Sequence, residues 1–190
     1  MKPKIFCIEG IDTQGINNLL KNLSQVFLDE INIFVDEDNN LIYNQSEEYI
    51  SDLNNLSRKI IRKSETCELI FVGNFIGFDK IYSKFNNQNS IINKVKNIED
   101  ILDEYDIYTY YLNFNSYNDY HKKYKYLYQL KDCYSESEYS TLFDIIEEVV
   151  DKKDYINYQT IDSTISIDEQ NEIILKDFLK YFYDITQHTV

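Results

Sequence analysis

Gly10, Asp12 and Gly15 follow directly on an apolar run, "KIFCIE" (4–9), and stand before an amphipathic one. A strand that ends in a glycine-bounded loop and passes into a helix can gather backbone N–H groups around one point. The positive end of the helix dipole favours an anion there. The chemistry open to such a loop is phosphate binding. The complete loop has two glycines five positions apart, then a lysine that reaches the β- and γ-phosphates and a hydroxyl residue that holds magnesium. Here Gly10 and Gly15 keep the frame, but Ile16 stands in the lysine place and Asn17 in the hydroxyl place. Ile16 brings neither donor nor charge. Asn17 has an amide oxygen that touches a cation less well. Thr13 and Gln14 add bulk where amides should face phosphate. The glycines serve either the turn alone or a retained anion pocket, and both readings stay open.

Other chemistry-bearing residues are sparse. Cys7, Cys67 and Cys133 are widely separated and odd in number, and read as free thiols rather than a disulfide framework or a zinc site. His121 and His188 lie outside any metal-ligand spacing and read as surface residues. Glu9 and Asp12 could hold a metal, but with no cation beside them they would repel a nucleotide. Gly73 and Gly77 are the remaining glycines, and they mark a tight turn or room for a ligand, with the turn the expected use. The 18 tyrosines could stack a base, but at that density buried or interface roles are commoner.

The net charge of −14, with Arg58 and Arg62 as the arginines, argues against nucleic-acid binding and leaves solubility or a basic partner surface. No apolar run approaches the ~20 residues that span a bilayer. "MKPK" runs straight into the first strand without a leader pattern, which predicts a cytoplasm-like compartment. The wealth of Asn, Ile, Lys, Asp and Tyr points to an AT-rich genome, for instance a viral one, in which case the host cytoplasm or the virion is the expected location.

Strands are expected at 4–9, 31–37, 67–75, 107–114 and 156–162, and helices at 15–30, 44–64, 116–128, 139–152 and 166–185. The region to about 104 is mostly helical, and 129–139 is irregular. Ser116 reads as an N-cap, and Ser166 with Glu169 as a capping box. Strands alternating with helices imply a parallel sheet covered on both faces. No repeat or linker interrupts the pattern, which predicts a single domain over 1–190.

The string "IFCIEGIDTQG" resembles the opening of thymidylate kinases, roughly F-I-x-F-E-G-I/L-D-G-x-G-K-T/S-T, with Glu9, Gly10, Ile11, Asp12 and Gly15 matching. "DIYTYYLNFNSYNDYHKK" (106–123) is similar to that family's fourth strand and following helix, and "TIDSTISIDEQNEIILKDFL" (160–179) to its closing segment. The resemblance implies a P-loop kinase-like α/β/α sandwich with a five-stranded parallel sheet. It also implies transfer of the γ-phosphoryl of ATP to thymidylate with magnesium, usually in a homodimer, and a lid-like region at about 122–139. Phosphoryl transfer of this kind is largely positioning plus cancellation of negative charge.

Four departures remove that charge. The loop lysine is Ile16. The Arg-Glu-Pro-Gly run after the second strand is "VDEDNNLI" (35–42). The Asp-Arg pair at the end of the third strand aligns with Gly73 and Asn74, beside Phe75. The lid carries lysines, among them Lys122, Lys123, Lys125 and Lys131, but no arginine. The lysines could substitute in part as point charges. The expectation is therefore a catalytically inactive relative with no catalytic residue and no metal. Gly10, Asp12, Thr13, Gly15, Ile16 and Asn17 would form a remnant phosphate loop, and Gly73, Asn74 and Phe75 a remnant substrate side. Its role would be structural or interactive, in a homodimer or larger assembly without membrane or nucleic acid. The alternatives are an active ATP- and Mg2+-dependent dTMP or nucleoside monophosphate kinase, or a nucleotide-binding sensor.

Overall fold

The computed structural model describes residues 3–37, 47–75, 77–89, 91, 94–96, 98–124, 134–151 and 158–187. Five parallel strands form one sheet: β1 (Lys4–Gly10), β2 (Ile33–Val35), β3 (Leu69–Gly73), β4 (Asp106–Asn113) and β5 (Tyr158–Asp162), in the order β2-β3-β1-β4-β5. The helices between and after them are α1 (Thr13–Val26), α2 (Glu47–Ser64), α3 (Gly77–Phe85), α4 (Ile98–Glu104), α5 (Tyr117–Tyr124), α6 (Glu136–Asp151) and α7 (Ile167–Gln187). The five-stranded α/β/α sandwich expected from the alternation is the fold observed.

Strand alternation decides which helix covers which face. Ile5 and Cys7 of β1, with Ile70 and Val72 of β3, pack under Tyr49, Leu53, Leu56 and Ile60 of α2 and under α4. Phe6 and Ile8, with Phe71 and Tyr108, pack under Ile16, Leu19, Leu20 and Leu23 of α1 and under α7. A third cluster joins Ile11, Tyr111 and Phe114 to α3, α5 and α6.

β1 lies between β3 and β4, so the chain departs to one side of it for β2 and β3 and to the other for β4 and β5. The C-terminal end of β1 is thus the point where the strand order switches, the usual place for a ligand in an open α/β sheet. Residues 10–15 leave the sheet there.

Several boundaries differ from the expected ones for local reasons. α1 starts at Thr13 rather than Gly15, because Asp12 caps it. β2 is shorter than 31–37: residues 31–32 turn, and the Asn32 carbonyl accepts from the Glu68 and Leu69 N–H groups. β3 stops at Gly73 because Asn74 takes a left-handed φ of 44°. α6 starts before 139, since Ser135 and Glu138 form a capping box: Ser135 N–H donates to Glu138 Oε2 at 2.8 Å, and Glu138 N–H to Ser135 Oγ at 3.3 Å. The N-cap expected at Ser116 and the box expected at Ser166 with Glu169 are present, the former with Asp119 N–H donating to Ser116 Oγ at 3.2 Å and the latter with Ser166 N–H donating to Glu169 Oε2 at 2.9 Å.

The helices have no stretch long and apolar enough to cross a membrane among the described residues.

Candidate functional site

The end of β1 comes close to β4. Gly10 adopts φ +132°, and a Cβ there would lie 2.2 Å from the Leu112 carbonyl oxygen, so only glycine fits. The chain then makes two non-helical residues, Ile11 and Asp12, before α1 begins. Ile11 is buried against the third cluster.

Asp12 is fully buried and is the N-cap of α1. Gly15 N–H donates to Asp12 Oδ1 at 2.9 Å, and Ile16 N–H donates to the Asp12 carbonyl at 2.9 Å. Of the first-turn amides, that of Gly15 is thus taken by the loop's own carboxylate, while that of Ile16 makes the ordinary helical bond to the residue four back. Gly15 is needed for this: a Cβ there would stand 2.2 Å from Asp12 Oδ2.

Two further donors reach Asp12 from α5. Lys123 Nζ lies 2.5 Å from Oδ2, and Tyr124 Oη donates to Oδ1 at 2.6 Å. Burial, followed by the negative charge of Asp12, pushes the Tyr124 hydroxyl well above its ordinary pKa, so it remains a donor. α5 is fixed in turn by aromatic packing. Tyr120 lies 5.1 Å from Tyr124 and 5.1 Å from Tyr139, centroid to centroid, and Tyr139 Oη donates to the Phe114 carbonyl at 2.6 Å. Lys123 also lies over the Phe114 ring at 5.6 Å. The tyrosines of this region are thus the support of the Asp12 clamp.

Ile16, in the lysine place, is fully buried against the sheet. A Cβ on Gly73 would lie 3.0 Å from Ile16 Cγ2 and 3.0 Å from Leu20 Cδ1. Gly73 is therefore not the tight turn expected of it. The left-handed residue is Asn74, and the space at Gly73 is filled by side chains of α1. Thr13 and Asn17 are half-buried and Gln14 is exposed.

On the neighbouring side, Asn74 N–H donates to the Ile8 carbonyl at 3.0 Å, and Phe75 N–H to Glu9 Oε1 at 3.3 Å. Glu9, Asn74 and Phe75 are all buried, Phe75 in the α2-side core. Burial, with Glu9 adding to it, pushes the Cys7 thiol up, which keeps it protonated. Asp36, which follows β2, is pinned to Lys59 of α2 at 2.7 Å.

The structure thus brings the expected loop residues together, with Gly73 beside Ile16 and Phe75 beside Glu9. Of the lid lysines, Lys123 reaches the loop but pairs with Asp12, while Lys122 pairs with Asp119 at 3.2 Å. Lys125, Lys131, Cys133 and His188 lie outside the described residues, as does most of the acidic stretch after β2. Tyr124 was missed as a site residue. Its only signal was position, one residue after a lysine already singled out. The capping role of Asp12 was legible as an aspartate just ahead of a helical run.

No family model matches this chain, and no curated protein matches it. Solved structures do. A thymidylate kinase from Candida albicans is similar over 95% of this chain and 92% of its own, with 13% identity and a TM-score of 0.55. A deoxyadenosine kinase from M. mycoides, with dCMP and dCDP bound, is similar over 93% and 99%, with 15% identity and a TM-score of 0.56. A thymidylate kinase from Ehrlichia chaffeensis is similar over 94% and 100%, with 15% identity and a TM-score of 0.53. The fold is the one seen in these solved nucleoside and nucleotide kinases. At these identities the likeness is one of fold.

Proposed function

We propose that this chain is a nucleotide-kinase fold that no longer transfers phosphoryl groups and acts through contacts with other proteins. The observation that carries this reading is Ile16, which holds the lysine place and is fully buried in the core, while Lys123, the described lid lysine that reaches the loop, is bound to Asp12. The residues at the loop do not fit magnesium-ATP: Ile16 is packed in the core, and the cation that reaches the loop neutralises the chain's own carboxylate. Losing one charge-assisted contact to a transferred phosphate costs on the order of 3 kcal/mol, about a hundredfold in rate. Here more than one such contact is lacking.

The test is ATP consumption by the purified chain with magnesium and a panel of deoxynucleoside monophosphates. The expected result is a rate equal to the blank. Turnover that Asp12→Ala abolishes would overturn the proposal.

Lys123 favours a second reading, binding without transfer, because it brings a cation to a loop that has none of its own. Thermal shift with nucleotides tests it. A ligand present at 100 times its Kd adds about 2.7 kcal/mol of stability, so an unmoved Tm at millimolar nucleotide rejects the sensor reading.

A further inference from the structure

We propose that the groove between α1 and α7 is a docking site for a basic amphipathic helix of another protein. The inference stands on a different surface from the loop and does not depend on whether phosphoryl transfer occurs. Among the described residues the large apolar side chains left exposed are Val26 (52%), Leu28 (79%), Ile31 (87%) and Leu179 (47%). Val26 and Leu179 line one groove of about 560 Å³, with Leu175 between them and the acidic Asp168 and Glu172 along it. Leu28 and Ile31 stand in the turn that leaves the same end of α1, with Asp29 and Glu30 between them.

The lining residues recur at helical spacing: Asn22 and Val26 on α1, then Asp168, Glu172, Leu175 and Leu179 on α7. Two helices that present such ridges form a seat for a third, which would enter with apolar side chains at three- and four-residue intervals. The seam below is bridged by a hydrogen bond from Asn171 Nδ2 to Asn22 Oδ1. It is not closed on itself, because Asn171 Oδ1 is buried with no hydrogen-bond partner among the described residues.

Charge selects the occupant. The lining carries two acids, Asp168 and Glu172, against Lys176, which is paired with Glu172 at 3.1 Å, and Asp29 and Glu30 add negative charge in the turn that follows α1. A second copy is disfavoured: it carries the same −14, and a two-fold contact would set these acids against themselves. A helix with lysine or arginine flanking a leucine-rich face complements both the floor and the rim.

The experiment uses the purified full chain and a labelled, designed helical peptide of leucine and lysine, read by fluorescence anisotropy. A second peptide has the same leucines and glutamate for lysine. Leu179→Lys and Asp168→Lys are made at solvent-facing positions, and their melting curves are checked against the wild type. The expected result is binding of the lysine peptide alone, weakened about tenfold or more by either variant. Three results overturn the proposal. They are no binding at millimolar peptide, binding that neither variant weakens or that the glutamate peptide shares, and a concentration-dependent dimer of the chain that Leu179→Lys dissolves.

Discussion

Lys123 Nζ meets Asp12 Oδ2 at 2.5 Å across the mouth of the sheet, joining α5 to the first turn of α1. The carboxylate is fully buried, and the lysine side chain is 32% exposed. Two consequences follow from that asymmetry. Asp12→Ala removes the helix cap and strands Tyr124 Oη, and should cost about 2–4 kcal/mol. Lys123→Met leaves a buried carboxylate with two neutral donors and should cost about 1–3 kcal/mol, less than a wholly buried pair because the lysine is partly solvated. A double-mutant cycle measured by denaturant unfolding should give a coupling of about 1–2 kcal/mol. A coupling near zero would show that the pair is not formed in solution.

Gly10 and Gly15 should fail differently when changed to alanine. Gly10→Ala places a methyl 2.2 Å from backbone, the Leu112 carbonyl, at a φ of +132°. Neither the strand nor the dihedral can yield, so a loss of at least about 3 kcal/mol is expected. Gly15→Ala meets a side chain instead, Asp12 Oδ2 at 2.2 Å. That variant should fold but lose the cap, at about 1–2 kcal/mol. Urea melts of the two proteins check the order, and equal losses would contradict it.

Restoring the loop lysine should not restore a kinase. Ile16 is fully buried above Gly73, so Ile16→Lys would place an ammonium in the core. A loss of at least about 3 kcal/mol is expected, with no gain in ATP turnover. A stable variant that hydrolyses ATP would show that position 16 faces the loop after all.

Much of the fold was legible before any coordinates. The helical spacing of Ile16, Leu19, Leu20 and Leu23 gave α1, and the unbroken apolar run around Ile70 gave the strand expected at 67–75. Capping chemistry marked Ser116 and Ser166 because those side chains act on their own neighbours. What stayed hidden depends on distance in sequence. Asp12 and Lys123 are 111 positions apart, and nothing local says that a lysine near the expected lid will turn onto the loop. The role of Gly73 was misjudged for the same reason, since the side chains that need its space belong to α1.

The tyrosine support should make the protein labile to alkali. Burial, and then Tyr134, pushes the Tyr82 hydroxyl up; burial raises Tyr134; and burial with the charges of Asp119 and Asp162 pushes Tyr139 up to about 12. In the unfolded chain tyrosine loses its proton near pH 10. Between about pH 10 and 12 the folded state therefore holds more protons than the unfolded one, and stability falls as pH rises. Below that window these groups add no pH dependence. Circular dichroism and tyrosinate absorbance should change together in a base titration. Ionisation of every tyrosine near pH 10 with the fold intact would contradict this.

The amide of Gly15 reports most directly on what occupies the end of α1, because its N–H donates to Asp12 Oδ1 at 2.9 Å. Its proton and nitrogen resonances should stay in place when magnesium-ATP is added to millimolar concentration, and should shift in Asp12→Ala without any nucleotide. A Gly15 resonance that moves saturably with magnesium-ATP in the wild-type protein would contradict the filled loop and the reading of function built on it.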